Sequence, residues 1–248
     1  MPETPAPAPL TIRYALKTDA GLEREQNEDS AYAGPRLLVV ADGLGGHAAG
    51  EVASAAAVEV LKSLDTEVPA ADLLTALERA VDEASATLRG LVKADPSLLG
   101  MGTTLTGLLW SGSQLGLVHI GDSRAYLLRD GELFQITHDQ TVVQSLIDDG
   151  RITEAEATSH PQRSMLLQAL SGGPAKPDLQ LRDARPGDRY LLCSDGLHGV
   201  VSLEVIARVL TEVTEPDEGV AALVQLANQA GGPDNITCII ADVVAVNG

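Results

Sequence analysis

The spacing of apolar positions changes several times along the chain. "TIRYALKT" (11–18) alternates apolar and polar like a strand, and "GLEREQNEDS" (21–30) after it reads as a polar loop. "PRLLVVAD" (35–42) is a continuous apolar run between a proline and a glycine, which predicts a buried strand. Residues 48–64 then read as a helix of small residues. A second helix over about 70–92 has Leu73, Leu74, Leu77, Ala80, Val81, Ala84 and Leu88 at helical spacing. Four strands are predicted next, at 102–110, 114–122, 124–131 and 132–137, with Asp-Gly in "RDGE" marking a hairpin between the last two. "DQTVVQSLIDDG" (139–150) reads as a helix ended by Gly150. The segment 151–173 is mixed, punctuated by Pro161, and looks like an excursion from the core. "DLQLRDA" and "DRYLLCSD" are strands, helices follow near 202–212 and 217–230, and "NITCIIADVVAV" closes the chain with a strand. Strands come in neighbouring runs and helices in blocks, which favours antiparallel sheets with helices packed outside over a doubly wound parallel sheet.

Composition narrows this picture. The 248 residues fit one domain with a large sheet, and no composition break marks a second. At 44% hydrophobic but 2% aromatic, the core must be packed by Leu, Val, Ile and Ala. Thirty-five acids against 17 basic residues give a formal net charge of -18, which argues against nucleic acid as a partner. Cys193 and Cys238 each lie in an apolar run, outside any C-x-x-C pair, and read as buried free thiols of a reducing compartment, the cytoplasm. No stretch of about twenty apolar residues is present. "MPETPAPAPL" (1–10) reads as a disordered leader and not a signal peptide.

Charge placement points to chemistry. A strand runs into an Asp followed by a small turn-former at Asp42, Asp122 and Asp195, and Asp234 in "GGPDN" stands just before a strand. Asp-Gly and Asp-Asn are common turn chemistry. If these ends converge, however, the carboxylates share one volume and need a cation, and an all-oxygen shell suits magnesium or manganese. The five histidines (His47, His119, His138, His160, His198) are scattered, without zinc-ligand spacing, and His119 within a strand reads as structural. Gly43-x-Gly45-x-x-Ala48 also satisfies a dinucleotide fingerprint, with Asp65 further on as its acid. Against it, Asp42 directly precedes the first glycine, no second strand follows the helix, and Asp122, Asp195 and Asp234 are left unexplained.

The ordered motifs "REQNEDS", "VVADGLGGHAAGEVAS", "GMGTTL", "HIGDSRAYLLRDGEL", "ITHDQT", "SHPQRSMLLQAL", "LLCSDGL" and "GGPDNIT" cover the chain from about Thr11 to Val243. In them the chain resembles the metal-dependent Ser/Thr protein phosphatases of the PP2C (PPM) family. The likeness is to the bacterial branch, and most of all to actinobacterial members that oppose membrane-bound Ser/Thr kinases. The resemblance implies an α+β fold, an α-β-β-α sandwich of two antiparallel sheets flanked by helices, as one catalytic domain over 11–246. It implies hydrolysis of phosphoserine and phosphothreonine by a hydroxide activated between two divalent ions, Mn2+ or Mg2+. Asp42 matches the carboxylate bridging both ions, the Gly43 carbonyl and Glu28 hold the second, and Asp195 and Asp234 hold the first. Asp122 matches the acid that, with Asp195, binds a third ion in bacterial members. Arg24 matches the arginine that grips the substrate phosphate, and Asp29 supports the ligands from behind. Segment 149–170 matches a mobile flap, from which His160, Arg163 and Ser164 are candidate substrate contacts. The expected partners are phosphorylated proteins, including Ser/Thr kinases and their substrates, and the expected state is a monomer. The abrupt end fits the cytosolic part of a longer, membrane-anchored protein. Two alternatives are a non-enzymatic relative that binds phosphoproteins, which loss of the acids would signal, and the stress-response branch acting on anti-sigma antagonists. One departure from animal relatives stands out: Leu44 occupies the place of their His, with His47 three residues on.

Overall fold

The computed structural model describes residues 10–45 and 49–246. Its strands are β1 (Leu10–Asp19), β2 (Asp29–Ala33), β3 (Leu37–Leu44), β4 (Gly102–Thr103), β5 (Leu105–Ser111), β6 (Gln114–Ile120), β7 (Arg124–Arg129), β8 (Glu132–Gln135), β9 (Asp178–Asp183), β10 (Arg189–Cys193) and β11 (Ile236–Ala245). The helices are α1 (Ala49–Lys62), α2 (Leu73–Ala94), α3 (Val142–Asp148), α4 (Glu154–Ala157), α5 (Asp195–His198), α6 (Leu203–Glu212) and α7 (Pro216–Gln229). One sheet has the order β1-β11-β10-β7-β8 and the other β2-β3-β5-β6-β9, with β4 added at the end of β3. The strand pairings are antiparallel.

The two sheets face each other, which explains the continuous apolar runs. Along β3, Leu38 and Val40 pack into the layer between the sheets, against Leu108, Leu117, Tyr190 and Ile239. Leu37, Val39 and Ala41 point the other way, onto α1 and α2. In β10, Tyr190 and Leu192 face inward, whereas Leu191 and Cys193 meet α5, α6 and α7. Each central strand is therefore buried on both faces, so period-2 alternation is hidden. The few aromatics are spent at the centre: Trp110 meets Tyr190 edge-on at 5.6 Å. Cys193 and Cys238, cross-strand partners, are buried free thiols as expected.

The expected layers are present, with local differences. The strand β2 lies partly in the segment read as a loop; Asp29 and Ser30 already pair with Asp42 and Ala41. β1 begins at Leu10, inside the expected leader, and the rest of that leader lies outside the described residues. The single strand expected over 102–110 is broken at Thr104, which turns its backbone N–H to the Asp42 carbonyl (2.9 Å). The helix expected from 139 starts only at Val142, capped by the Thr141 hydroxyl accepting from the Gln144 N–H, because His138 is bonded to His119 in β6, Asp139 to Arg124 in β7 and Gln140 to Gly121 between them. The "RDGE" hairpin is confirmed: Asp130 and Gly131 have φ of 54° and 82°, the left-handed pair that a tight two-residue turn requires.

Candidate metal centre

Asp29, Asp42, Asp122, Asp195 and Asp234 fall at one end of the sandwich, with Glu28 next to them, its carbonyl accepting from the Gly43 N–H (3.1 Å); Asp65 lies at the other end, accepting from Tyr32 Oη (2.7 Å) and the Arg36 N–H (2.9 Å). β3 runs through Asp42 to Leu44, so Asp42 stands inside a strand and is fixed on both sides. Its N–H donates to Thr104 Oγ1 (3.0 Å), and its carbonyl accepts from Thr103 Oγ1 and from the Thr104 N–H (both 2.9 Å). Opposite it in β2 is Asp29. Asp122 follows β6 beyond Gly121, whose φ of +100° makes the turn. Asp195 opens α5 directly after β10, and Asp234 precedes β11. Arg24 reaches in from the loop before β2, and its Nη2 donates to Asp234 Oδ2 (2.8 Å).

The acids raise one another's proton affinity. Burial, and then the charges of Asp29, Asp195, Asp122 and Asp234, push the Asp42 carboxyl well above the usual range. Burial, with the Asp195 charge next, lifts Asp122 to about 7. Asp29 is lifted to about 7 by burial, against the pull of hydrogen bonds from Ser194 and Thr237. Asp195 is raised by burial and by Asp234, and is relieved by a hydrogen bond with Asp42. Asp29 Oδ2 accepts from Ser194 Oγ (2.7 Å), but Oδ1 is buried with no partner among the described residues. A buried, partnerless carboxylate oxygen beside mutually repelling acids calls for positive charge. Hard divalent ions suit these all-oxygen donors, so the residues fit such a group. Among the described residues, no three acid, His or Cys side chains already stand in a closed ion-holding group.

Glu28 stands beside Gly43: a Cβ built on Gly50 would lie 2.7 Å from Glu28 Oε2 and 2.9 Å from the Gly43 carbonyl carbon. The Glu28 carboxylate approaches Gly50 at the start of α1 and senses Arg24, Asp234 and Glu51, while Asp42 is not among its main charge partners. Gly43 is required by the packing around it. An added Cβ would lie 2.3 Å from the Gly50 carbonyl oxygen and 2.5 Å from that of Glu28, so the missing side chain lets α1 and the β2 loop close on β3. Within the expected flap, Ser164 lines a groove with Leu44; His160 and Arg163 are not among its lining residues. His47 lies outside the described residues. As expected, His119 is structural, bonded to Thr106 Oγ1 (2.9 Å) and the His138 carbonyl (3.0 Å).

Several supporting residues had no role assigned from sequence. Asn235, within "GGPDN", donates to the carbonyls of Ala20 (3.0 Å) and Gln26 (2.8 Å) and accepts from the Glu28 N–H (2.8 Å), tying the Arg24 loop to β11. His198 Nε2 donates to the Asp122 carbonyl (3.0 Å), and burial pushes its imidazole down to about 4, so it is neutral. Thr103, Thr104, Ser194 and Asn235 stood inside recognisable motifs. His198 had no sequence signal, because the contact depends on α5 turning back under the loop after β6.

Comparison with known proteins agrees with this arrangement. The serine/threonine protein phosphatase PstP of Mycobacterium tuberculosis is 56% identical over 235 residues, which are 95% of this chain and 46% of that protein; the chain thus spans about half the length of this relative. A crystal structure of M. tuberculosis PstP/Ppp superposes with a TM-score of 0.91 at 55% identity, covering 94% of this chain and 98% of that one. A PstP catalytic domain in complex with 2 manganese ions gives 0.90 at 53% identity, covering 95% and 99%. Residues 24–229 match the protein phosphatase 2C family as a whole. With these matches, and with its acids gathered at the end of two antiparallel sheets, the chain belongs to the protein phosphatase 2C family.

Proposed function

We propose that the chain is a metal-dependent phosphoprotein phosphatase that hydrolyses phosphoserine and phosphothreonine, opposing Ser/Thr kinases. The gathering of Asp42, Asp122, Asp195 and Asp234 beside Arg24 carries this reading. Asp42 would bridge two ions. Asp195 and Asp234 would hold the first, Glu28 and the Gly43 carbonyl the second, and Asp122 with Asp195 a third. The Glu28 carboxylate and the Gly43 carbonyl already flank one point beside Gly50, which supports that pairing. Divalent cations held there supply a water acidic enough to ionise near neutral pH, together with positive charge against the phosphoryl oxygens. Arg24, half exposed and with one hydrogen bond among the described residues, has guanidinium donors left to clamp a phosphate through two parallel bonds. Asp29 holds its ground from behind through Ser194. Leu44 carries no proton, so the leaving alkoxide takes its proton from another donor.

The similarity to PstP, a serine/threonine protein phosphatase, supports phosphorylated proteins as partners; the same proposal includes Ser/Thr kinases and their substrates among them, and the chain acting in the cytoplasm as a monomer. No described helix is long and apolar enough to cross a membrane. The test is hydrolysis of a phosphothreonine peptide before and after thorough chelation, with manganese or magnesium added back. Activity should vanish with chelation and return with the ion. Hydrolysis that persists through chelation rules this mechanism out, and none under any condition favours a phosphoprotein-binding relative.

A further inference from the structure

Beside the carboxylates the surface turns apolar. Leu44, at the end of β3 and two residues past Asp42, forms one wall of a shallow groove, with Pro161, Gln162, Ser164, Met165 and Leu166 opposite. Met165 is 50% exposed. The far wall is pinned by its backbone: the Val142 N–H donates to the Met165 carbonyl (2.9 Å), the Leu167 N–H donates to the Gln140 carbonyl (2.7 Å), and Leu166 bridges Thr141. Gln162 Nε2 donates to Met165 Sδ (3.6 Å). Among the described residues the lining contains no charged side chain, although the chain as a whole is strongly acidic. A charged group seated there would lose hydration without gaining a partner, whereas an apolar one would gain burial.

Leu44 joins the groove to the strand that carries Asp42, two positions away. Two residues of strand span about 6.6 Å, so Leu44 lies within a few residues' reach of a substrate segment anchored at Asp42 and Arg24. We infer that the groove receives an apolar side chain of the phosphoprotein substrate, of leucine or methionine size, one to three positions from the phosphorylated residue. This rests on the phosphatase reading and adds a preference to it. The thioether of Met165 adapts to side chains of different shape, so the preference is for apolar character and not for one residue.

The test is a panel of phosphothreonine peptides in manganese, with Leu, Ser or Glu placed in turn at each of the three positions on either side, run beside p-nitrophenyl phosphate, which is too small to reach the groove. At one position or more, Leu is expected to improve kcat/KM over Glu by about five- to tenfold, through KM. Met165→Ser and Leu166→Ala should flatten the panel, Met165→Leu should keep it, and all three should hydrolyse p-nitrophenyl phosphate like the unaltered chain. A flat panel from the unaltered chain overturns the inference, and so does a preference that survives both truncations. If neither peptide nor p-nitrophenyl phosphate is hydrolysed, the phosphatase reading fails and takes the groove with it.

Discussion

At the scale of single residues, Asp42 and Asp29 make opposite predictions. Both are carboxyls held at raised proton affinity by burial first. Asp42 is proposed to touch both ions, so Asp42→Ala should lower hydrolysis in manganese at least about a hundredfold; a p-nitrophenyl phosphate assay checks this. Asp29 acts through its neighbours, and removing its charge relieves repulsion in the acid cluster. Asp29→Asn should weaken manganese binding by about 10- to 100-fold while leaving the metal-free fold as stable or more so, as seen in paired metal and urea titrations. Gly43→Ala drives a methyl group into the Gly50 and Glu28 carbonyls. It should cost at least about 2 kcal/mol in unfolding free energy, since the backbone on both sides is already bonded. The acids were legible in the sequence because each ends or adjoins an apolar run. Their supports were less so, since Ser194 and Asn235 act through contacts 165 and 207 residues away in the chain.

At the scale of elements, the segment that leaves β8 is fastened to the floor of the site. Arg124 in β7 makes a two-pronged pair with Asp139 (Nε to Oδ1 2.9 Å, Nη2 to Oδ2 2.6 Å), and Gln140 exchanges bonds with Gly121 (2.7 and 3.0 Å). At its other end, Leu170 pairs with Thr103, which in turn holds the Asp42 carbonyl. The excursion between them is therefore hinged on both sides at residues that position the acids. Asp139→Ala leaves the Arg124 guanidinium partly buried and unpaired, and should cost about 3 kcal/mol or more. Amide exchange at Val142 and Leu167 should speed up together, because both bonds depend on this fastening. Long apolar runs made the sheets and main helices readable. The five-residue β2, the break at Thr104 and the one-turn α5 were hidden, because tertiary hydrogen bonds and not local periodicity create them.

At the scale of the whole molecule, four layers stabilise a centre that destabilises itself. Between about pH 6.5 and 8 the buried His119 and His198, both lowered by burial, are neutral in the folded chain, while the unfolded chain sheds the last of their protons and so offsets part of any opposite slope. The downward part of the slope comes from Asp29 and Asp122, raised to about 7 from near 4 in the unfolded chain. The folded state binds more protons, so the stability they contribute is lost as pH rises through 7. Urea unfolding in chelator should show a net loss of about 1 kcal/mol from pH 6.5 to 8, and a divalent ion should abolish it. The layer architecture was legible from the grouping of strands and helices, whereas the convergence of the acids became visible only once β3, β6, β10 and β11 were aligned in two sheets. That convergence is tested most directly by counting manganese ions bound per chain by calorimetric titration at pH 8, for the unaltered protein and for Asp42→Asn. At least two ions are expected on the unaltered chain, with loss of tight binding in the variant. No bound manganese, or the same count and affinity in both, would contradict a metal centre built around Asp42.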